Sequence, residues 1–357
     1  MKQVFVLHDF DGKPYFKALE TVANVTYLNT RPFRFLLRDL FKYKKVQAET
    51  IQSLLFFFKM PFVKDKVILL GMAPFNYRML IYGWLYIRNK MVLHTSWHEW
   101  NGAVPFNYSH PLKSVLKKAW RYFLTRFACT VAVTQQTANS FSTFLPDVSD
   151  RVLTIPHVVD IERISEKKLK DKWQGQALNF LFTGRLTQAK GVNQYLQLAE
   201  FACQQGNGFK FHIAGRGELE QNILGFMNTH ANLYFHGFIS DRKQLKELMA
   251  QSHILLLPSR RTKGWEELFG LVVIEAMSQG CVVIASDHIG PSEIITHEVD
   301  GMLTHENKFF PTVKLVIDQI GVDRLKYFNY AQRAVMTSEK YSLDKVSLKW
   351  SAMLENL

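Results

Sequence analysis

A chain of 357 residues with 47% hydrophobic content has enough apolar sequence for two cores, which excludes both a disordered chain and a minimal domain. Its three scattered cysteines, Cys129, Cys203 and Cys281, give neither a metal-binding spacing nor a disulfide framework, and a reducing compartment fits them best. The net charge of +13 sits almost wholly in residues 1–160, with 21 Lys and Arg against 10 Asp and Glu, so the first half is the part expected to meet something acidic.

The opening run, residues 2–7 (KQVFVL), predicts a strand, and Asp9 and Asp11 interrupt it too early for a signal-peptide layout. No stretch is apolar for long enough to span a bilayer. Asp9-Phe10-Asp11 has the form of a triplet that holds a divalent metal on a diphosphate. A polar loop after a strand explains it more simply, because short motifs match by accident. Over 31–45, Phe33, Leu36, Leu37, Leu40 and Phe41 recur at helical spacing with Arg34, Arg38, Lys42 and Lys44 on other faces. That pattern suits a membrane interface or a surface helix whose stripe is core, and the sequence leaves both open.

Strands are expected at 67–71 and 91–95, with a helix around Tyr77–Arg88 between them. His94 ends the second of these strands, where a side chain of a parallel sheet faces the ligand crevice. A second basic helix is expected over 111–128. Its stripe is Leu112, Val115, Leu116, Ala119, Trp120, Phe123, Leu124 and Phe127, with Lys113, Lys117, Lys118, Arg121 and Arg126 off it. A strand at 128–134, a helix at 135–144 and the segment 151–160 close the first half. The expected domains are 1–160, a linker over 161–176, 177–340, and a packed C-terminal helix over 341–357.

From 178 the alternation is regular, with strands expected near 178–183, 209–213, 232–235, 253–257, 281–286 and 301–304. Strand and helix alternating at this spacing predict an α/β fold of two doubly wound, Rossmann-like domains facing a crevice. Three features fall at strand-to-helix loops of the second domain. Gly184 permits a sharp turn, and Arg185 and Lys190 can both reach one diphosphate at a helix start. Gly215-Arg216-Gly217 allows close backbone approach, but Glu220 stands where the dinucleotide fingerprint has its third glycine. Glu267 and Glu275 lie eight positions apart, in the loop before and on an expected helix from Leu268 to Met277, about 12 Å if all of the path were helical. Each carboxylate can accept hydrogen bonds from paired hydroxyls, with the amides near Phe269-Gly270-Leu271 aimed at a phosphate between them. The plainer reading makes Glu275 a solvated helix residue and Glu267 a first-turn acid, but it explains poorly a charge kept among Val272, Val273 and Ile274.

The run from Glu267 to Met277, preceded by Leu257-Pro258-Ser259, resembles the E-x7-E signature of glycosyltransferase family 4 (glycosyl transferases group 1). Residues 182–186 with Lys190-Gly191 look like that family's diphosphate loop, and Ile213–Gly217, His236-Gly237-Phe238 and Gly290–Glu293 follow in the family's order. The likeness covers about 150–310. Over 1–150 it is limited to strand order, His94 and the 155–160 segment, and Asp9–Pro14 stands where the family commonly has a glycine-rich loop.

The resemblance implies a GT-B fold, with the C-terminal helix packing back on the first domain. It also implies metal-independent transfer of a sugar, with retained configuration, from a UDP-, GDP- or ADP-sugar. It assigns Glu267, His94, Arg185 and Lys190 to catalysis. Donor binding falls to Gly184, Arg185, Lys190, Gly215, Phe238, Glu267, Leu268, Phe269, Gly270, Leu271 and Glu275. No cofactor and no metal is expected. A saccharide or lipid-linked acceptor of bacterial surface polysaccharide or glycolipid synthesis follows, with a cytoplasmic location. The anionic inner face of the plasma membrane is a further candidate partner through 31–45 and 111–128. A catalytically silent GT-B nucleotide-sugar-binding module is the alternative. Nucleic acid is not expected, because it explains neither two doubly wound domains nor the acid pair.

Overall fold

The computed structural model describes residues 1–8, 13–101, 113–159, 162–175, 178–206, 208–262 and 265–357. The Asp9–Asp11 triplet, Leu112 and the start of the second basic helix, Asp160, and Lys263-Gly264 lie outside the described residues. The chain divides into two compact units, Met1–Val158 with Leu343–Leu357, and Val159–Ser342.

The first unit is a parallel sheet of β1 (Lys2–His8), β2 (Ala23–Asn29), β3 (Val67–Gly71), β4 (Lys90–Thr95), β5 (Cys129–Ala132) and β6 (Val152–Thr154), in the order β2-β1-β3-β4-β5-β6. Alternate side chains of a strand face opposite layers. Val67 and Leu69 enter one core with Val4 and Val6, while Ile68 and Leu70 enter the other with Trp100, Trp120 and Phe141. The helix Leu343–Glu355 closes the first of these layers with Val346, Trp350, Met353 and Leu354, so the expected C-terminal helix does pack on the first unit.

The second unit repeats the plan with β7 (Asn179–Arg185), β8 (Lys210–Arg216), β9 (Leu233–Phe235), β10 (Ile254–Leu257), β11 (Val282–Ser286) and β12 (Gly301–Thr304). Every pairing is parallel, in the order β12-β11-β10-β7-β8-β9. Phe180, Ile254, Leu256, Val282 and Ile284 pack on one side, and Leu181, Leu255, Leu257, Val283 and Ala285 on the other. Strands buried on both faces read as continuous apolar runs, and helices cover both layers. Since β8 and β9 build outward from one side of β7 while β10 to β12 build from the other, the order reverses between β7 and β10. Ligands of open α/β sheets bind outside the strand ends at such a switch point.

Three expectations need correction. Within the expected linker 161–176, Ser165 caps the helix Glu166–Gln174, whose Leu169 and Trp173 are buried in the second unit's core. Periodicity was masked there by six charges in nine residues. The stripe of the second basic helix (Lys113–Leu124) is core: Leu116, Trp120, Phe123 and Leu124 are buried, and only Val115 among its described apolar positions is exposed. The helix that carries Glu275 begins at Leu271, because Gly270 precedes it at φ +75° as the N-cap. The helix thus starts three residues later than expected, Glu267 stays in the loop before it, and a continuous helix does not set its separation from Glu275.

Candidate functional site

The carboxyl ends of β7, β8, β10 and β11 gather most of the expected site residues. Gly184 and Arg185 end β7, and the turn Gln188–Lys190 leads through Gly191 into the helix Val192–Gln204. A Cβ on Gly191 would lie 1.9 Å from the Pro258 carbonyl oxygen, and its φ of +74° suits glycine alone. This loop is therefore pressed against the end of β10, where the Arg260 N–H also donates to the Ala189 carbonyl at 2.8 Å. Gly215 ends β8 beside Gly184. Its φ is +153°, and a Cβ there would meet the Gly184 carbonyl oxygen at 1.9 Å. Glycines thus let three backbones crowd at one end of the sheet.

Lys190 and Glu267 form an ion pair, with their side chains 13% and 15% exposed. The Lys190 ammonium also lies 4.9 Å from the centre of the Trp265 ring. Arg185 is exposed, and its guanidinium has no partner among the described residues. A fixed cation and an unpartnered one thus flank the start of a 13-residue helix, an arrangement suited to phosphate.

The Glu267 loop is held from behind. Its N–H donates to His288 Nδ1 at 3.1 Å, and its carbonyl accepts from the Gly290 N–H at 2.8 Å. A Cβ on Gly290 would meet the Phe269 backbone at 2.5 Å. His288 is fully buried, and burial followed by Arg261 lowers its pKa against the pull of Glu266, Glu306 and Glu267. A neutral imidazole can offer Nδ1 as the acceptor this bond requires. Arg261 in turn reaches Asp287 at 3.1 Å and Glu266 at 3.3 Å. Phe269 and Leu271 turn their side chains onto the core, Phe269 against Tyr341, so their backbone amides are what they can offer a ligand.

Glu275 projects from the helix Leu271–Ser278, and its carboxylate meets Arg242 Nη1 at 2.6 Å. Burial raises its pKa, partly opposed by Arg242. Phe238 is exposed beyond β9, with the Arg216 guanidinium 4.4 Å from its ring centre. His94 belongs to the first unit, and it is buried. It packs among Phe16, His8, His157 and Trp350, at ring-centre distances of 4.8 to 6.4 Å. Burial, then His8 and His157, push its pKa well down. Its Nδ1 has no hydrogen-bond partner among the described residues.

Trp265, His288, Arg242 and Arg261 were not foreseen. Each acts through a contact 5 to 33 positions away in sequence or, for Trp265, through a ring face, and no local spacing announces it.

Solved structures share this architecture. HepE of Anabaena in complex with UDP superposes over 100% of both chains, with a TM-score of 0.69 at 17% identity. The fold is GT-B. TarM is a second GT-B likeness, with a TM-score of 0.60 over 87% of this chain and 59% of TarM, at 17% identity. Residues 163–317, which lie in the second GT-B unit, match the family model described as glycosyl transferases group 1. Over 145 residues the chain is 32% identical to the amylovoran biosynthesis glycosyltransferase AmsK of Erwinia amylovora, covering 39% of this chain and 35% of AmsK. Over 207 residues it is 23% identical to a poly(ribitol-phosphate) alpha-N-acetylglucosaminyltransferase of Staphylococcus aureus, covering 56% of this chain and 39% of that one. The chain thus spans well under half the length of these two curated relatives. Group 1 glycosyltransferases of polysaccharide biosynthesis are among its relatives.

Proposed function

We propose that the chain is a retaining, metal-independent glycosyltransferase of family 4. It moves a sugar from a nucleotide-sugar donor to a saccharide or lipid-linked acceptor, in bacterial surface polysaccharide or glycolipid synthesis on the cytoplasmic side. The observation that carries the reading is the meeting of Lys190, Glu267 and the glycine-built loop of Gly184–Arg185 at the switch point of the second sheet. The 163–317 family match and the UDP in the HepE structure support it.

In this reading Arg185 and Lys190 hold the diphosphate, and Glu267 and Glu275 hold hydroxyls of the sugar and the ribose. Gly184 and Gly215 let the ligand approach the backbone closely. The amides from Leu268 to Leu271 face the phosphates, and Phe238 lines the donor. The role of His94 beside the transferred sugar rests on the family resemblance. Cleaving the sugar–phosphate bond leaves negative charge on the diphosphate and positive character on the ring. The two cations, Lys190 held in place and Arg185 free to meet the ligand, stabilise that leaving group as it forms. The acceptor oxygen bonds to the anomeric carbon on the face the diphosphate leaves and gives its proton to a phosphate oxygen of the leaving group, and that same-face attack retains the configuration.

The test is a thermal-shift panel of UDP, GDP, ADP and CMP with their sugars, followed by donor hydrolysis in EDTA and by NMR of the released anomer. Stabilisation by one nucleotide and first release of the retained anomer are expected. Binding without release from any donor would favour the silent module, and no nucleotide binding at all would overturn both.

A further inference from the structure

The first unit carries a second feature, built from none of the residues assigned to transfer. Of the two basic helices, the one over 31–45 leaves its apolar positions uncovered. Pro32–Arg38 continues into a wide turn, Asp39–Tyr43, and along it Phe33, Leu37 and Leu40 are about half exposed and Phe41 is 83% exposed. The helix Ala48–Lys59 packs beside it and adds Phe58, 67% exposed, and Phe62 follows at 79%. Rings link these elements: Phe33 lies 5.2 Å from Phe57 and 6.2 Å from Phe58, and Phe57 lies 6.5 Å from Tyr82. Tyr82 ends the short helix Met79–Tyr82, whose continuation exposes Trp84 and Ile87, and Arg88 donates to the Pro61 carbonyl at 3.2 Å.

The charge around these residues has one sign. Residues 31–66 contain nine Lys and Arg against three Asp and Glu. Of the three acids, Asp39 is buried and already bonded to Thr50, Gln47 and Arg38. Arg34, Lys44, Lys45, Lys59 and Lys64 have no carboxylate partner among the described residues. Large exposed apolar patches on a soluble surface mark an interaction site. Exposed Phe and Trp rimmed by unneutralised Lys and Arg match one occupant, a bilayer surface, where rings enter the headgroup layer and cations meet anionic lipid.

We propose that this face, from Pro32 through Phe62 to Ile87, docks the chain on an anionic lipid surface. The helix 113–124 contributes cations at most, because its apolar stripe is spent on the core.

Flotation of the full chain with vesicles of equimolar phosphatidylglycerol and phosphatidylcholine, and with phosphatidylcholine alone, tests the proposal. Two double variants are compared, Phe58→Ser with Phe62→Ser and Lys59→Glu with Lys64→Glu. Lys349→Glu, an exposed cation of the same unit outside this face, is the charge control. Thermal midpoint confirms that each variant folds. The expected result is at least about tenfold stronger partitioning to the anionic vesicles, lost by about tenfold or more in each double variant and kept in Lys349→Glu. Equal partitioning to both vesicles, none to either, or unchanged partitioning in folded double variants overturns the proposal. So does self-association abolished by the Phe58/Phe62 variant without vesicle binding, because a second copy would then cover the face.

Discussion

Lys190 and Glu267, 77 positions apart, meet as an ion pair, so the carboxylate occupies the cation that a phosphate would need. The two therefore compete. Glu267→Gln frees Lys190, and UDP affinity measured by calorimetry is expected to rise about fivefold, the worth of a modest ion pair. Donor turnover in the same variant is expected to fall. Lys190→Ala should lower turnover by about a hundredfold or more and weaken UDP binding as well. A fall in UDP affinity on Glu267→Gln would show that the pair supports the site rather than competing for it.

The glycines at the strand ends differ sharply in what they tolerate. Gly191→Ala and Gly215→Ala each drive a Cβ to 1.9 Å from a carbonyl oxygen at positive φ. Each is expected to cost about 2 kcal/mol or more, a fall of roughly 5 °C in thermal midpoint. Gly225, inside the helix Glu220–Met227, has nothing within 4 Å of its Cβ position. Gly225→Ala should therefore stabilise by about 0.5–1 kcal/mol. Equal effects at all three positions would contradict the close approach.

Two groups of the second unit, His253 buried and Glu275 partly so, give opposite pH dependences. His253 accepts the Asn179 N–H at 3.1 Å and faces the Lys172 carbonyl, and burial lowers its pKa from 6.5 to about 4. Its contribution is complete above pH 6.5 and is lost as pH falls toward 4, on the order of 2–3 kcal/mol. Glu275 is raised above 4.5 by burial, so its contribution is complete below pH 4.5 and is lost as pH rises through the raised value. Urea titrations should show His253→Asn flattening the acid limb. Glu275→Gln should gain on the parent as pH rises from 4.5 to 7.

Trp350 is 1% exposed among Phe16, His94 and the β1–β3 layer. Trp350→Ala should cost about 3–5 kcal/mol, read by urea denaturation. Because Trp350 belongs to the first unit, a probe in that unit should report the loss, and one in the second should not.

The second sheet was readable because its strands are short apolar runs buried on both faces, bounded by glycines with a physical job. Gly184, Gly215, Gly270 and Gly280 all stand at positive φ. The first sheet was less so. Strand β2 (ANVTYLN) is only partly buried, and the helix Ala48–Lys59 ends in a phenylalanine run that hides its period. The two basic stripes looked alike in sequence, yet one is core and the other exposed. Periodicity says which side is apolar and not what covers it. His288 and Arg242 were invisible for another reason: each matters through a residue brought close only by the fold.

The helix Leu343–Glu355 has a consequence for the order of synthesis. Residues 1–158 leave the ribosome before the second unit, yet the layer over Val4, Val6, Val67 and Leu69 is sealed by side chains translated after it. Until then that layer exposes its apolar face, a state prone to aggregation. The second unit is continuous in sequence and meets no such wait. It can fold first, even though it is made second.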